Sequence, residues 1–285
     1  PALQGDFDDI GMATTHERSQ TLARVIKAVD ADILALQEVE SLEALLWFRA
    51  TYLPDAGYKY VASHDVGYYR GIEQSIMSRF PITRTQVWLS VSLDDVARVG
   101  SGWDRVPRDF RTGLKIRRSP LRVDIKVNDK YELSIFNVHH KSGRNFRFHR
   151  EAESLKIIEL VNQLQREDPG RNIIVAGDFN AVPGEKSLRV YLEAGLMDPL
   201  SDRSMSHRRA APQVKARLYK THESGRVLDY ILLNSAAHRE LVMGSAHIYG
   251  TLSVENYDWV KDPYPEGYAS DHYPVIIDLI PRDVP

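Results

Sequence analysis

The chain has no cysteine among its 285 residues. That single absence excludes disulfides, thiolate metal sites and cysteine nucleophiles. It fixes no compartment, because a cysteine-free protein works equally well in the cytosol or outside the cell. Nowhere does the sequence contain about eighteen consecutive apolar residues, so no membrane-spanning segment is expected. No secretory signal is visible from Pro1 onward. The net charge of −2 is too close to neutral for a uniformly basic nucleic-acid binder. Several motifs are missing as well. Without HExxH or a cysteine cluster the zinc-hydrolase signatures fail. Without GxSxG there is no serine-hydrolase elbow. Without GxGxxG or GxxxxGKS/T, cradles for nucleotide cofactors are not expected.

What is present has globular composition, 43% hydrophobic and 27% charged. No repeat, low-complexity tract or linker justifies a cut, so residues 1–285 are read as a single domain. Charge is unevenly spread. Residues 101–150 carry 13 Lys and Arg against 5 Asp and Glu, and residues 203–226 carry 7 against 1, while 251–285 is acidic. Two basic segments could form one positive rim for a phosphorylated substrate. Helical spacing predicts four helices. The first is capped by Thr15 with Leu22, Val25, Ile26 and Val29 inward, and the second covers 41–52. The third is a long one whose stripe includes Ala152, Leu155, Ile158 and Val161, and the fourth is a short one ending at Gly195. About ten strands lie between them: 33–37, 58–62, 75–78, 82–89, 121–127, 132–138, 173–176, 228–233, 245–249 and 275–279. The pair around 121–138, with "NDK" at its turn, predicts an antiparallel hairpin. Residues 90–118 are the least regular stretch, holding Trp103, Phe110 and several arginines, and a loop of that length is expected to be functional.

Polar residues gather where these strands end. "DILALQEVE" presents Gln37 and Glu38, "LSIFNVHHKS" presents His139, and "RNIIVAGDFN" presents Asp178 and Asn180. "RVLDYILLN" carries Asp229 in an apolar run, and Asp271 and His272 precede the last strand. One such residue is an ordinary strand-end turn, in which Asp and Asn bond their own backbone. Five strands doing so predict one polar site built from strand ends. Carboxylates with an amide and few imidazoles favour a hard cation, Mg²⁺ or Mn²⁺, over zinc. Metal-assisted hydrolysis of phosphate esters is then the natural chemistry.

"LQEVE", "NVHHKS", "GDFNAVP", "LDYILLN" and "SDHYPV", in this order and spacing, resemble the endonuclease/exonuclease/phosphatase superfamily, the deoxyribonuclease-I-like group, over residues 16–280. The resemblance implies an α/β (α+β) four-layer sandwich, with two central, mostly antiparallel sheets flanked by helices and the site at their shared edge. It implies Glu38 as principal metal ligand, Asp178 orienting or deprotonating the attacking water, and Asn180 holding that water or a phosphate oxygen. His272 would share charge with Asp229 and meet the phosphate, and Asp271 would face the metal or the nucleophile. His139 would be the second imidazole, with Glu73 its partner by analogous position. Arg118, in "RRSPL", could contact substrate phosphate, as could Lys141, Ser142, Arg144 and Arg147 after His139. The other histidines, His16, His64, His140, His149, His207, His222, His238 and His247, are expected to be surface or packing residues.

One departure stands out. The family begins with a strand ending in a metal-binding asparagine, and "PALQGDFDDIG" offers none before the first helix. Either that strand is lacking, or Asp6, Asp8 or Asp9 takes its place. The expected function is therefore a Mg²⁺-dependent phosphoester hydrolase of nuclease-type phosphodiesterase character, with nucleic acid as one candidate substrate. A phosphatase or a sphingomyelin-type phosphodiesterase is the alternative, and a silent binding scaffold of the same fold is the rival from another class.

Overall fold

Local signals start and stop the elements. In the computed structural model, which describes residues 14–67, 72–96, 112–201, 220–250 and 269–283, Thr15 accepts the Arg18 amide at 3.2 Å and starts α1 (His16–Val29). Ser41 does the same for α2 (Leu42–Tyr52), accepting from Ala44 at 3.1 Å. Around them run β1 (Ile33–Val39), β2 (Tyr60–Ser63), β3 (Glu73–Ser78), β4 (Ile82–Val87), β5 (Leu121–Asn128) and β6 (Tyr131–His139). The rest comprises α3 (Arg147–Glu167), β7 (Asn172–Asp178), α4 (Lys186–Glu193), β8 (Asp229–Leu233), α5 (Ser235–Arg239), β9 (His247–Ile248) and β10 (Val275–Ile276).

The strands form two main sheets. One is antiparallel with order β1-β3-β2; the other has order β4-β5-β6-β7-β8, antiparallel except for the β6–β7 pair. Alternation along each strand fills three cores. Leu45, Phe48 and Tyr52 of α2, with Ala23 and Ile26 of α1, pack on the outer face of the first sheet at Val39 and Met77. Ile76, Val123, Ile125, Leu133, Ile135, Ile174 and Leu233 fill the space between the sheets. Phe136, Val138, Ile173, Val175, Tyr230 and Leu232 face outward onto Ile157, Val161 and Leu164 of α3 and Leu188 and Tyr191 of α4. Helix, sheet, sheet, helix is the expected four-layer order.

Asn137 ties the two sheets together. Its amide donates to the carbonyls of Leu36 (2.8 Å) and Ser75 (3.0 Å) and accepts from Gln37 at 2.6 Å. Gln37, expected at the site, thus serves the sheet interface.

Two details differ from the sequence-based expectation. The five residues of α5, capped by Asn234, are too few to show a helical period. The expected strands 245–249 and 275–279 shorten to two residues each, because the chain changes partner midway. Val275 and Ile276 pair with β9, whereas Leu279 bridges Leu241. The outer edge of β1 pairs with no strand among the described residues. Along it lies a cavity of about 810 Å³, lined by Leu22, Val25, Leu34, Leu36, Ile231 and Val275 and opening at its polar end on Glu38, Asp178 and His272. Residues 1–13, with Asp6, Asp8 and Asp9, lie outside the described residues, as do Trp103, Phe110 and most of the second basic segment.

Candidate active site

Strand register assembles the centre of the site. β6 and β7 run parallel and end together, while β8 begins beside the end of β7. His139 is paired with Asp178, and Asp178 with Asp229. Register partners project to the same face, so one imidazole and two carboxylates line up across three strands. That face is the one bearing Asn137, two residues before His139, which points at the first sheet.

The row is crowded, and Gly177 makes it possible. A Cβ there would sit 2.0 Å from the carbonyl oxygen of Val138, and its φ is +135°. Next along, Asp178 Oδ1 accepts the backbone N–H of Asn180 and Oδ2 accepts the Asn180 amide, both at 2.7 Å. This is the strand-end turn that the residue types allow, and it coexists with the site. The strand stops at Asp178, and Asn180 adopts the left-handed conformation (φ 49°). The amide therefore reaches the carboxylate by a turn. Phe179 points the other way and is buried against Tyr191 and Tyr230.

Opposing charges set the electrostatics. Burial first, and then the adjacent Asp229 carboxylate, push Asp178 up to about 7, against the pull of His272 and the Asn180 N–H. Nδ1 of His272 lies 2.9 and 3.0 Å from the two oxygens of Asp229. Burial disfavours the imidazolium, but Asp229, Asp178 and Asp271 outweigh it and raise His272 to about 10. Asp271 goes the other way. Burial would raise it, yet contact with His222 and the charge of His272 bring it down to about 2. His222 Nε2 stands 3.4 Å from Asp271 Oδ2. This buried histidine was expected to be only surface or packing, and no periodicity marks it. An isolated bridge pairing His222 with His272 brings it in.

Glu38 sits at a bulge in β1 with φ 57°, its side chain 60% exposed and its carboxylate 3.9 Å from His139 Nε2. The same nitrogen is 3.4 Å from Asp178 Oδ2 and in contact with the guanidinium of Arg118. Arg118 is buried and also donates to the carbonyl of His140 at 3.2 Å. Glu73 begins β3 beside Val39, accepts from Val66 N–H at 3.4 Å, and is raised to about 7 by burial. Lys141 lies 4.2 Å over the ring of Phe146, and Arg144 is exposed on the following turn. Buried Arg150 holds that loop, donating to the carbonyls of Lys141 (2.9 Å) and Gly143 (2.8 Å). His140 is a packing residue, as expected, bonded to Tyr191 at 2.8 Å.

Donor chemistry suits a hard cation. Glu38 and Asp271 present carboxylates with 60% and 38% of their side-chain surface open, and oxygen donors are what Mg²⁺ and Mn²⁺ take. Ligand atoms of Asp178, Asp229 and His272 fall within 4.8 Å of one another, as do those of His222, Asp271 and His272.

Known proteins of the same architecture are similar to the whole chain. The structure of an endonuclease/exonuclease/phosphatase from Beutenbergia cavernae superposes with a TM-score of 0.59 at 17% identity, covering 97% of this chain and 68% of that one. A mannosyl-6-phosphatase from Bacteroides thetaiotaomicron gives 0.59 at 22% identity, covering 92% and 90%. The human Nocturnin catalytic domain with bound sulfate gives 0.57 at 17%, covering 96% and 92%. No curated protein matches the chain. The model of the Endonuclease/Exonuclease/phosphatase family matches residues 10–272, nearly the full length, and the chain belongs to that family.

Proposed function

We propose that the chain is a divalent-metal-dependent phosphoester hydrolase that cleaves phosphodiesters. The observation that carries this reading is the registered row His139, Asp178 and Asp229, closed by His272 on Asp229. It groups a base near neutral pKa with a held imidazolium, the two partners that hydrolysis of an anionic ester requires.

Asp178, raised to about 7, takes the proton of the attacking water. Asn180 holds that carboxylate in place. Its two amide hydrogens meet Asp178 Oδ2 at 2.7 Å and the carbonyl of His140 at 3.1 Å, so it steadies the base and leaves the phosphate to other donors. His272 gives Nδ1–H to Asp229 and turns Nε2 to the phosphoryl oxygen, where its charge offsets that of the transition state. Arg118 binds a second phosphoryl oxygen, its guanidinium seated against His139 Nε2, and Glu73 lies beside Val39 at the end of β1. Lys141 and Arg144 guide the ester in from the loop that Arg150 fixes. Glu38 and Asp271 would hold Mg²⁺ or Mn²⁺, which polarises the phosphoryl group and neutralises charge when bound.

The test is a substrate panel with Mg²⁺ or Mn²⁺, comprising single-stranded and supercoiled DNA, RNA, sphingomyelin, bis-nitrophenyl phosphate and a sugar phosphomonoester. Cation-dependent cleavage of the diesters, lost in Asp178→Ala, is expected. Turnover of the monoester alone would replace the diesterase with a phosphatase, and cation binding without turnover would leave only a scaffold.

A further inference from the structure

His222, Asp271 and His272 could be read as a second cation site, two imidazoles and a carboxylate with ligand atoms within 4.8 Å. The hydrogen bonds of His222 decide against that. The backbone N–H of Ser224 points at His222 Nδ1 from 2.9 Å, and an amide N–H can only donate. Ser224 Oγ stands 2.8 Å from the same nitrogen and accepts from Arg226 Nε at 2.7 Å; with Nδ1 already facing an amide donor, that hydroxyl meets the ring through its proton. Nδ1 therefore carries the lone pair. A neutral imidazole has one donor and one acceptor nitrogen, which places the proton on Nε2, facing Asp271 Oδ2 at 3.4 Å. A protonated Nε2 has no lone pair for a cation.

The ring is fixed from other sides too. It packs edge-to-face on His272 with centroids 4.6 Å apart and planes at 87°. Its backbone segment is sewn to the other: Tyr273 N–H donates to Thr221 O at 2.7 Å and Glu223 N–H to Asp271 O at 2.9 Å. Thr221 Oγ1 in turn accepts the amides of Leu228 and Asp229. The short hairpin carrying His222 thus touches Asp229, Asp271 and His272 together.

We infer that His222 is a positioning residue, whose Nε2–H orients the Asp271 carboxylate into the site and whose ring seats His272. The inference rests on the proposed reading of Asp271 and His272 as site groups. Partners at this remove from a cation or reacting atom cost about 10–100-fold when removed.

Nitrogen-15 histidine NMR on the metal-free protein reads the tautomer directly, with the His222 signals assigned by their loss in His222→Phe. An Nε2–H tautomer that persists on adding the diamagnetic cations Mg²⁺ or Zn²⁺ is expected; an Nδ1–H tautomer, or coordination of Nε2, overturns the inference. Two variants separate positioning from packing. His222→Phe keeps the ring against His272 but loses the donor, and His222→Gln returns an amide N–H near Nε2. With bis-nitrophenyl phosphate, kcat should fall about 10–100-fold in the Phe variant and recover in part in the Gln variant, which regains the donor without the ring, at similar thermal midpoints. Mn²⁺ affinity by calorimetry should follow the same order. Equal losses in both variants, tracking their midpoints, would leave only a structural role and overturn the inference. If the wild type turns over nothing, the hydrolase reading falls, and the tautomer with the Mn²⁺ titration still judges His222.

Discussion

A methyl group at position 177 would lie 2.0 Å from the Val138 carbonyl oxygen, on a backbone with φ +135°. Neither strand can yield without moving His139 or Asp178. Gly177→Ala should therefore destabilise by about 3 kcal/mol or more in chemical unfolding and cost activity beyond that, because Asp178 shifts with the strand. Asp178 has an electrostatic cost of its own. Its carboxyl is raised from 3.8 to about 7, so the folded chain binds this proton more tightly than the unfolded chain. The penalty is absent below 3.8, grows as pH rises, and is complete above about 7. His272 is raised from 6.5 to about 10, and its stabilisation, full below 6.5, is lost as pH rises through about 10. Both groups lower stability with rising pH. In EDTA, Asp178→Asn should melt a few degrees above wild type near pH 8, on a scale where about 1 kcal/mol moves such a domain ~2–4 °C. The difference should vanish toward pH 4. Most of these residues were legible in the sequence because a polar side chain ending an apolar run is conspicuous. His222 was not, since it lies on a turn that a distant bridge brings home. The left-handed turn at Asn180 was equally hidden.

At the scale of elements, the parallel β6–β7 pair is what brings His139 and Asp178 to one edge, with α3 as its crossover. The start of α3 also holds the loop that carries Lys141. Arg150 donates to Lys141 O, Gly143 O and Glu185 Oε1, the last at 2.9 Å. Arg150→Ala should cost about 1–3 kcal/mol, because the carbonyls of Lys141 and Gly143 lose their donor and half-buried Glu185 keeps only the Arg147 cation, 3.8 Å away. KM for a phosphodiester should rise severalfold more than kcat falls, since the loop bearing Lys141 and Arg144 loosens while the row stays intact. Helix starts were legible from Thr15 and Ser41, whose caps are local chemistry. The shortness of β9 and β10 was not, because strand length there depends on where a partner segment ends. Nor could spacing say that Gln37 would turn to Asn137 and bridge the sheets.

Across the whole molecule, carboxylates gather at one end of the sheet sandwich, and no helix among the described residues is long and apolar enough to cross a membrane. A bound cation would offset the charge cost that Asp178 carries there. Mn²⁺ at about 100 times its Kd should add ~2.7 kcal/mol, seen as a thermal midpoint several degrees above that in EDTA, and Glu38→Gln should reduce the gain. The layer order was legible because alternating and helical periods reveal which faces are apolar. The most direct test of the central claim is hydrolysis of bis-nitrophenyl phosphate by wild type and Asp178→Asn, each with Mn²⁺ and with EDTA. Turnover that needs the cation and falls about 10²–10⁴-fold in the variant, with the fold retained, is the predicted result. Cation-dependent turnover that Asp178→Asn leaves unchanged would contradict the assignment of this row as the catalytic centre.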